Sequence, residues 1–196
     1  AAELTKDRPV VTVCRSGARS AQATVLLAKA GFDRVIGTSG TILSLGAAHV
    51  QELEERAAIQ TLRMRFHECV NETNPNGIGP LFSPDAELHY SHLGTAIGRE
   101  TITRFFQKGL SELVPFVKQY LHNHAVTVNG DTATGLSYLE ATPVYKGESY
   151  LVAARFDDEY IKDNGRWYFK KVTLTPHFMV PLKEGWAQED RIKMGR

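Results

Sequence analysis

The sequence predicts an α+β fold, with helices first and a curved meander of long antiparallel strands after them. Between Gln51 and Val70 the apolar residues Leu53, Ala57, Ile59, Leu62, Phe66, Cys69 and Val70 recur mainly at spacings of three and four, the period of one buried helical stripe. After Pro115 the pattern changes to β-prone runs separated by Asn129-Gly130, Lys146-Gly147 and Asn164-Gly165, dipeptides suited to the left-handed backbone of two-residue hairpins. Helices followed by a run of hairpins, with no alternation of the two, is the α+β order.

From the N-terminus, the β-branched run Val10 to Val13 reads as a short strand. A Ser/Gly turn, a helix from Ser20 to Ala30 stopped by Gly31, and a brief strand at Val35-Ile36 follow. Residues 41–50 are weakly helical. The 51–70 helix is broken by Asn74-Pro75-Asn76-Gly77, and Ser83-Pro84-Asp85 introduces an alternating strand from Ala86 to His92. Gly98-Arg99-Glu100 opens a second helix through Phe105, Phe106 and Leu110. The strands that follow span about 116–128, 131–143, 148–162 and 166–179. They exceed the usual ~5–6 residues, which predicts strong bending with bulges. Residues 51–196 thus form the main domain, and residues 1–50 a short strand-loop-helix segment joined to it without a Gly/Ser linker.

Apolar residues make up 42% and charged residues 23% of the 196, ordinary for a globular protein. With 23 Lys plus Arg against 22 Asp plus Glu there is no broad field to attract a nucleic-acid backbone. No run reaches the ~18 apolar residues of a membrane span, and the start lacks the order of a secretory signal, so a cytoplasmic protein is expected. Cys14 and Cys69 lie too far apart in sequence to suggest a disulfide framework or a zinc site.

Arg56-Ala57-Ala58-Ile59-Gln60, Leu81 to Glu87, Gly98-Arg99-Glu100, Asn129-Gly130-Asp131-Thr132-Ala133 and Asp163-Asn164-Gly165-Arg166-Trp167 resemble, in order and spacing, the SnoaL-like, nuclear-transport-factor-2-like family. The resemblance implies a cone-shaped pocket between sheet and helices that takes a small hydrophobic molecule. It also implies, in the dehydratase and dehydrochlorinase members, an Asp late in the first helix that orients a strand His as general base. Aligned on Ala57 to Gln60, those positions fall on Asn71 and Gln119, amides that cannot exchange a proton near neutral pH. Strand alternation places Tyr120, His122, His124, Val126 and Val128 on one face. If that face points inward, His122 or His124 is the base instead. Phe66, Tyr90, Phe105, Tyr150, Phe156 and Phe178 are expected to line the pocket, Tyr90 sharing a face with Ala86, Leu88 and His92. Asp157-Asp158-Glu159 reads as a solvated strand face and not as a metal site, because neighbours on a strand point to opposite sides.

Val10 to Ser20 followed by Leu26 to Phe32 resembles the active-site half of a rhodanese domain. The resemblance implies a persulfide-bearing Cys14 in an anion loop with Arg15, Ser16, Gly17 and Arg19. Some 35 matching residues are too few to bury a sheet of that kind, so the segment reads as a remnant. Three readings stay open: a cofactor-independent lyase or isomerase acting on a hydrophobic carbonyl or hydroxyl compound, a sulfurtransferase through Cys14, and a non-catalytic binding or dimerisation module. A homodimer through the outer face of the sheet is expected.

Overall fold

The computed structural model describes residues 10–12, 18–33, 35–36, 42–43 and 47–195. The chain divides into two compact units, residues 1–55 and 56–196. In the first unit β1 (Val10–Val11) runs parallel to β2 (Val35–Ile36), which pairs antiparallel with β3 (Ile42–Leu43). The helix α1 (Ala18–Lys29) ends where Gly31 takes a φ of +84°, and the amide of Phe32 reaches back to the carbonyl of Leu27, closing the last turn. Cys14, Arg15, Ser16 and Gly17 lie outside the described residues; Arg19 falls in the first turn of α1.

The second unit takes the part of α2 (Ala47–Asn71) from Arg56 onward, together with α3 (Arg99–Lys108), which runs on into one wide π-type turn over Gly109–Leu113. Its strands are β4 (Phe82–His89), β5 (Thr95–Ile97), β6 (Gln119–Asn129), β7 (Thr132–Ala141), β8 (Val144–Tyr145), β9 (Glu148–Asp163) and β10 (Arg166–Pro181). They assemble in the order β5-β4-β10-β9-β7-β6, with β8 on the side of β9. Every pairing is antiparallel except that of β4 with β10. The turns at Lys146-Gly147 and Asn164-Gly165 have positive φ at both residues, as two-residue hairpins between twisted strands require.

Burial alternates along the long strands, so one face of the sheet is covered and the other is open to water. On β9, Ala154, Phe156, Asp158 and Tyr160 are buried, while Arg155, Asp157 and Glu159 face outward. Phe66 from α2 sits at the centre of the covered side with no exposed surface, edge-on to Phe82, Phe106, Phe156 and Phe169 at 5.4–6.4 Å. Such a ring contributes roughly 1.5–3 kcal/mol by leaving water.

Two sequence expectations are corrected. The strand read from Ala86 to His92 ends at His89: Ser91 and Gly94 have positive φ, and His92 turns away to Met194, with Nε2 2.6 Å from its carbonyl. The strict alternation read across β6 is broken by a bulge between Leu121 and His124. An extra residue re-aims everything beyond it. Both Gln119 and His124 therefore reach covered partners, whereas His122 is more than half exposed and lies 3.6 Å from Glu140 on the open face.

Candidate functional site

Residues 63, 67 and 71 lie four apart on α2, one turn after another, beside the stripe of Ile59, Leu62, Phe66 and Val70. That row carries Arg63, His67 and Asn71 against the covered face. At its end, Asn71 Nδ2 donates to the carbonyl of Gln119 at 3.0 Å, and the amide of Gln119 donates to Asn71 Oδ1 at 2.7 Å. The primary amide imitates a strand neighbour and fastens the start of β6 to the end of α2. A carboxylate could not do this, since it has no hydrogen to donate.

One turn earlier, His67 Nδ1 lies 2.7 Å from Gln119 Oε1. An amide oxygen only accepts, so Nδ1 carries the hydrogen and Nε2 keeps its lone pair. Burial, aided by the charge of Arg63, pushes His67 down to about 3, and the ring is neutral at ordinary pH.

Another turn earlier, Arg63 has no exposed surface. Its guanidinium lies over the rings of Phe156, Phe169 and Phe66 at 4.2, 4.7 and 5.2 Å. It forks onto Asp158, with Nε donating to Oδ2 at 3.1 Å and Nη2 to Oδ1. The reading of Asp158 as part of a solvated face is overturned: Asp157 pairs outward with Arg155, but Asp158 points inward to Arg63. Burial raises the Asp158 carboxyl, and the guanidinium and Tyr160 pull it back. Tyr160, whose phenol burial holds well above its usual range, donates to Asp158 Oδ2 at 2.8 Å. With that hydrogen engaged, His124 Nε2, 3.1 Å from Tyr160 Oη, is the donor there, and its Nδ1 is left bare. Burial and then Arg63 push His124 down to about 4. Gly135 makes room for this pair: a Cβ there would stand 2.8 Å from His124 Nε2 and 2.9 Å from the Tyr160 ring.

Several buried side-chain atoms make no hydrogen bond within the described residues: Arg63 Nη1, His67 Nε2, Tyr90 Oη, His124 Nδ1 and Ser137 Oγ. Most surround one ring. The rings of His67 and Tyr90 are 5.9 and 6.1 Å from Phe156, Arg63 lies over its face, and Ser137 is its partner across the β7–β9 ladder. Each such atom costs about 1–3 kcal/mol when buried without a partner, so a protein rarely gathers several in one place. The set combines acceptors, His67 Nε2 and His124 Nδ1, with donors, Tyr90 Oη and Arg63 Nη1.

Of the other residues expected in the pocket, Phe66 and Phe156 belong to this cluster and Phe105 packs on Tyr90 at 5.7 Å. Tyr150 packs instead on Tyr145, and Phe178 stacks on Trp186. Reading the sequence missed Arg63, His67, Tyr160 and Ser137. The signal for the first two was present: polar residues at 63 and 67 keep the four-residue step that leads to Asn71. On the open face, a groove of about 460 Å³ is lined by residues such as Thr127, Thr134, Leu136, Lys171 and Thr173.

The sequence model of the SnoaL-like domain matches residues 51–173, well over half of the chain. The chain belongs to the SnoaL-like domain family. The SnoaL-like unit resembles the crystal structure of a hexachlorocyclohexane dehydrochlorinase, LinA type 2, with a TM-score of 0.63 and 25% identity, covering 66% of this chain and 90% of that one. A putative scytalone dehydratase from Novosphingobium aromaticivorans shares the fold, with a TM-score of 0.61 and 20% identity over 74% of this chain and 95% of that one. An uncharacterised Mycobacterium tuberculosis protein is 24% identical over 129 residues, 64% of this chain and 88% of its own length. A separate match of 42 residues, 21% of this chain, is 50% identical to 39% of a sulfurtransferase from Allochromatium vinosum. Among the described residues no helix is long and apolar enough to cross a membrane.

Proposed function

We propose that the SnoaL-like unit binds a small hydrophobic molecule bearing a carbonyl or hydroxyl group between α2 and the covered face of the sheet, and that it acts as a cofactor-independent lyase or isomerase. The observation that carries this reading is the set of buried, unpartnered polar atoms gathered around Phe156. Apolar walls with a few convergent polar groups are the usual make-up of a small-molecule site. The likeness to a dehydrochlorinase at 25% identity supports the class of chemistry. The chemistry differs from an Asp–His dyad, because Asn71 and Gln119 are amides tied to each other and to His67. Neutral hydrogen bonding, with Tyr90 Oη donating to a substrate oxygen and His67 Nε2 accepting a substrate hydrogen, takes the place of a titrating base. The test is a screen of aryl and alicyclic ketones and alcohols by thermal shift and by product analysis. The reading expects saturable binding that Tyr90→Phe and His67→Phe weaken; binding unaffected by both variants contradicts it. Saturable binding without turnover of any ligand identifies the unit as a binding module.

A second reading rests on the 42-residue match: a sulfurtransferase activity through a Cys14 persulfide. Thiosulfate-to-cyanide transfer that Cys14→Ser abolishes supports it, and equal rates for both proteins remove it.

A further inference from the structure

We propose that His67 and Tyr90 together recognise a hydroxy-ketone, His67 Nε2 accepting the hydrogen of the ligand hydroxyl and Tyr90 Oη donating to its carbonyl, with Gln119 as the residue that fixes His67 in the accepting state. This rests on the small-molecule reading of the site and names its ligand class. His67 is 5% exposed and Tyr90 7%, and both rings pack against Phe156. Each keeps one polar atom with no partner among the described residues. Their polarities are opposite. Gln119 Oε1 accepts from Nδ1, which leaves Nε2 only a lone pair to offer. Tyr90 keeps its hydrogen because burial holds the phenol well above its usual range. A plain ketone satisfies one atom and leaves the other buried without a bond; a ligand with adjacent hydroxyl and carbonyl groups satisfies both.

His67 stays an acceptor across physiological pH. The ionisable groups around it are Arg63 on α2, Tyr90 after β4, His124 on β6, and Asp158 and Tyr160 on β9. Arg63 opposes a second positive charge, and Asp158 is already engaged by Arg63 and Tyr160. Gln119, being an amide, supplies an oxygen without a charge that would draw a proton onto the ring. Discrimination in favour of the hydroxy-ketone is therefore flat from about pH 5 to 8, unlike that of a site whose histidine titrates near ~6.5.

The experiment measures binding of α-hydroxyacetophenone and acetophenone to the full chain by calorimetry at pH 5, 6.5 and 8. The native protein is expected to bind the hydroxy-ketone about tenfold more tightly at each pH, the value of one hydrogen bond. In His67→Phe the ratio falls to about one. Gln119→Leu loses most of the ratio, whereas Gln119→Glu keeps it at pH 8 and loses it at pH 5, as the new carboxylate lets His67 take a proton. A merely structural role for Gln119 would weaken both ligands equally. In parallel, ¹⁵N spectra of the native protein should place the His67 hydrogen on Nδ1 from pH 5 to 8 and move the Nε2 resonance when the hydroxy-ketone is added; this readout decides the matter if His67→Phe fails to fold. Saturable binding of both ketones with equal affinity overturns the role of His67 while leaving the small-molecule reading intact. Absence of saturable binding by either removes both.

Discussion

The burial of His67 sets a specific acid sensitivity. In the unfolded chain its imidazole takes a proton near pH ~6.5, but in the folded protein only near 3. A folded-state value below the unfolded one means that the stability tied to this residue is complete above pH ~6.5 and is lost as pH falls toward 3. Between pH 7 and pH 5 the unfolded form becomes almost fully protonated at this site while the native form does not, a cost of about 2 kcal/mol. For a unit of this size that lowers Tm by roughly 4–8 °C. The perturbation is His67→Phe, which keeps an aromatic ring beside Phe156 and removes the titrating group. Its cost at pH 7 is about 1 kcal/mol for the lost bond to Gln119. The assay is thermal or urea unfolding of both proteins at pH 7, 6 and 5. His124, pushed down to about 4, adds an acid-dependent loss of the same sign, and Asp158, raised by burial, gains stability as pH falls; both act in native and variant alike. The difference between the two proteins therefore isolates His67: the variant should lose about 2 kcal/mol less on going to pH 5. Equal losses in native and variant would refute the reasoning.

Three further outcomes follow from the same geometry. Arg63→Met or Asp158→Asn should each cost about 3–5 kcal/mol in denaturant unfolding by stranding a buried partner, while the combined Arg63→Met and Asp158→Leu chain should recover much of that loss. Gly135→Ala should destabilise the fold by about 1–3 kcal/mol and break the Tyr160–His124 contact, visible as an altered His124 titration, because the new Cβ collides with both rings. Asn71→Asp should cost about 1–3 kcal/mol in denaturant unfolding at pH 7, since a carboxylate cannot donate to the Gln119 carbonyl and leaves it without that partner.

Much of the fold was legible because its signals are local. The hairpin dipeptides set the ends of β6, β7, β9 and β10 to within a few residues, and the apolar stripe of α2 gave its buried face from Ile59 onward, while Leu53 and Ala57 are exposed. The parallel pairing of β4 with β10 was not legible, since it joins segments about eighty residues apart. The site was legible in part. Asn71 and Gln119 were singled out as amides at the dyad positions that the resemblance implies, and the structure ties the Asn71 side chain to the backbone of Gln119. Asp158 was misread, and the choice among Gln119, His122 and His124 stayed open, for one reason: alternation tells which residues share a face only while the register is unbroken, and it does not tell which face is covered. The bulge in β6 moved His124 inward, and Arg63 on a distant helix gave Asp158 a buried partner that its acidic neighbours concealed.

The central claim, that the covered polar atoms around Phe156 form a ligand site, is tested most directly by a crystal of the full chain soaked with α-hydroxyacetophenone. The account predicts ligand density against Phe156, with the carbonyl at hydrogen-bond distance from Tyr90 Oη and the hydroxyl from His67 Nε2. Density confined to the open-face groove beside Thr134 and Lys171, or a soaked crystal with no ligand against Phe156 under conditions where binding in solution is saturated, would contradict it.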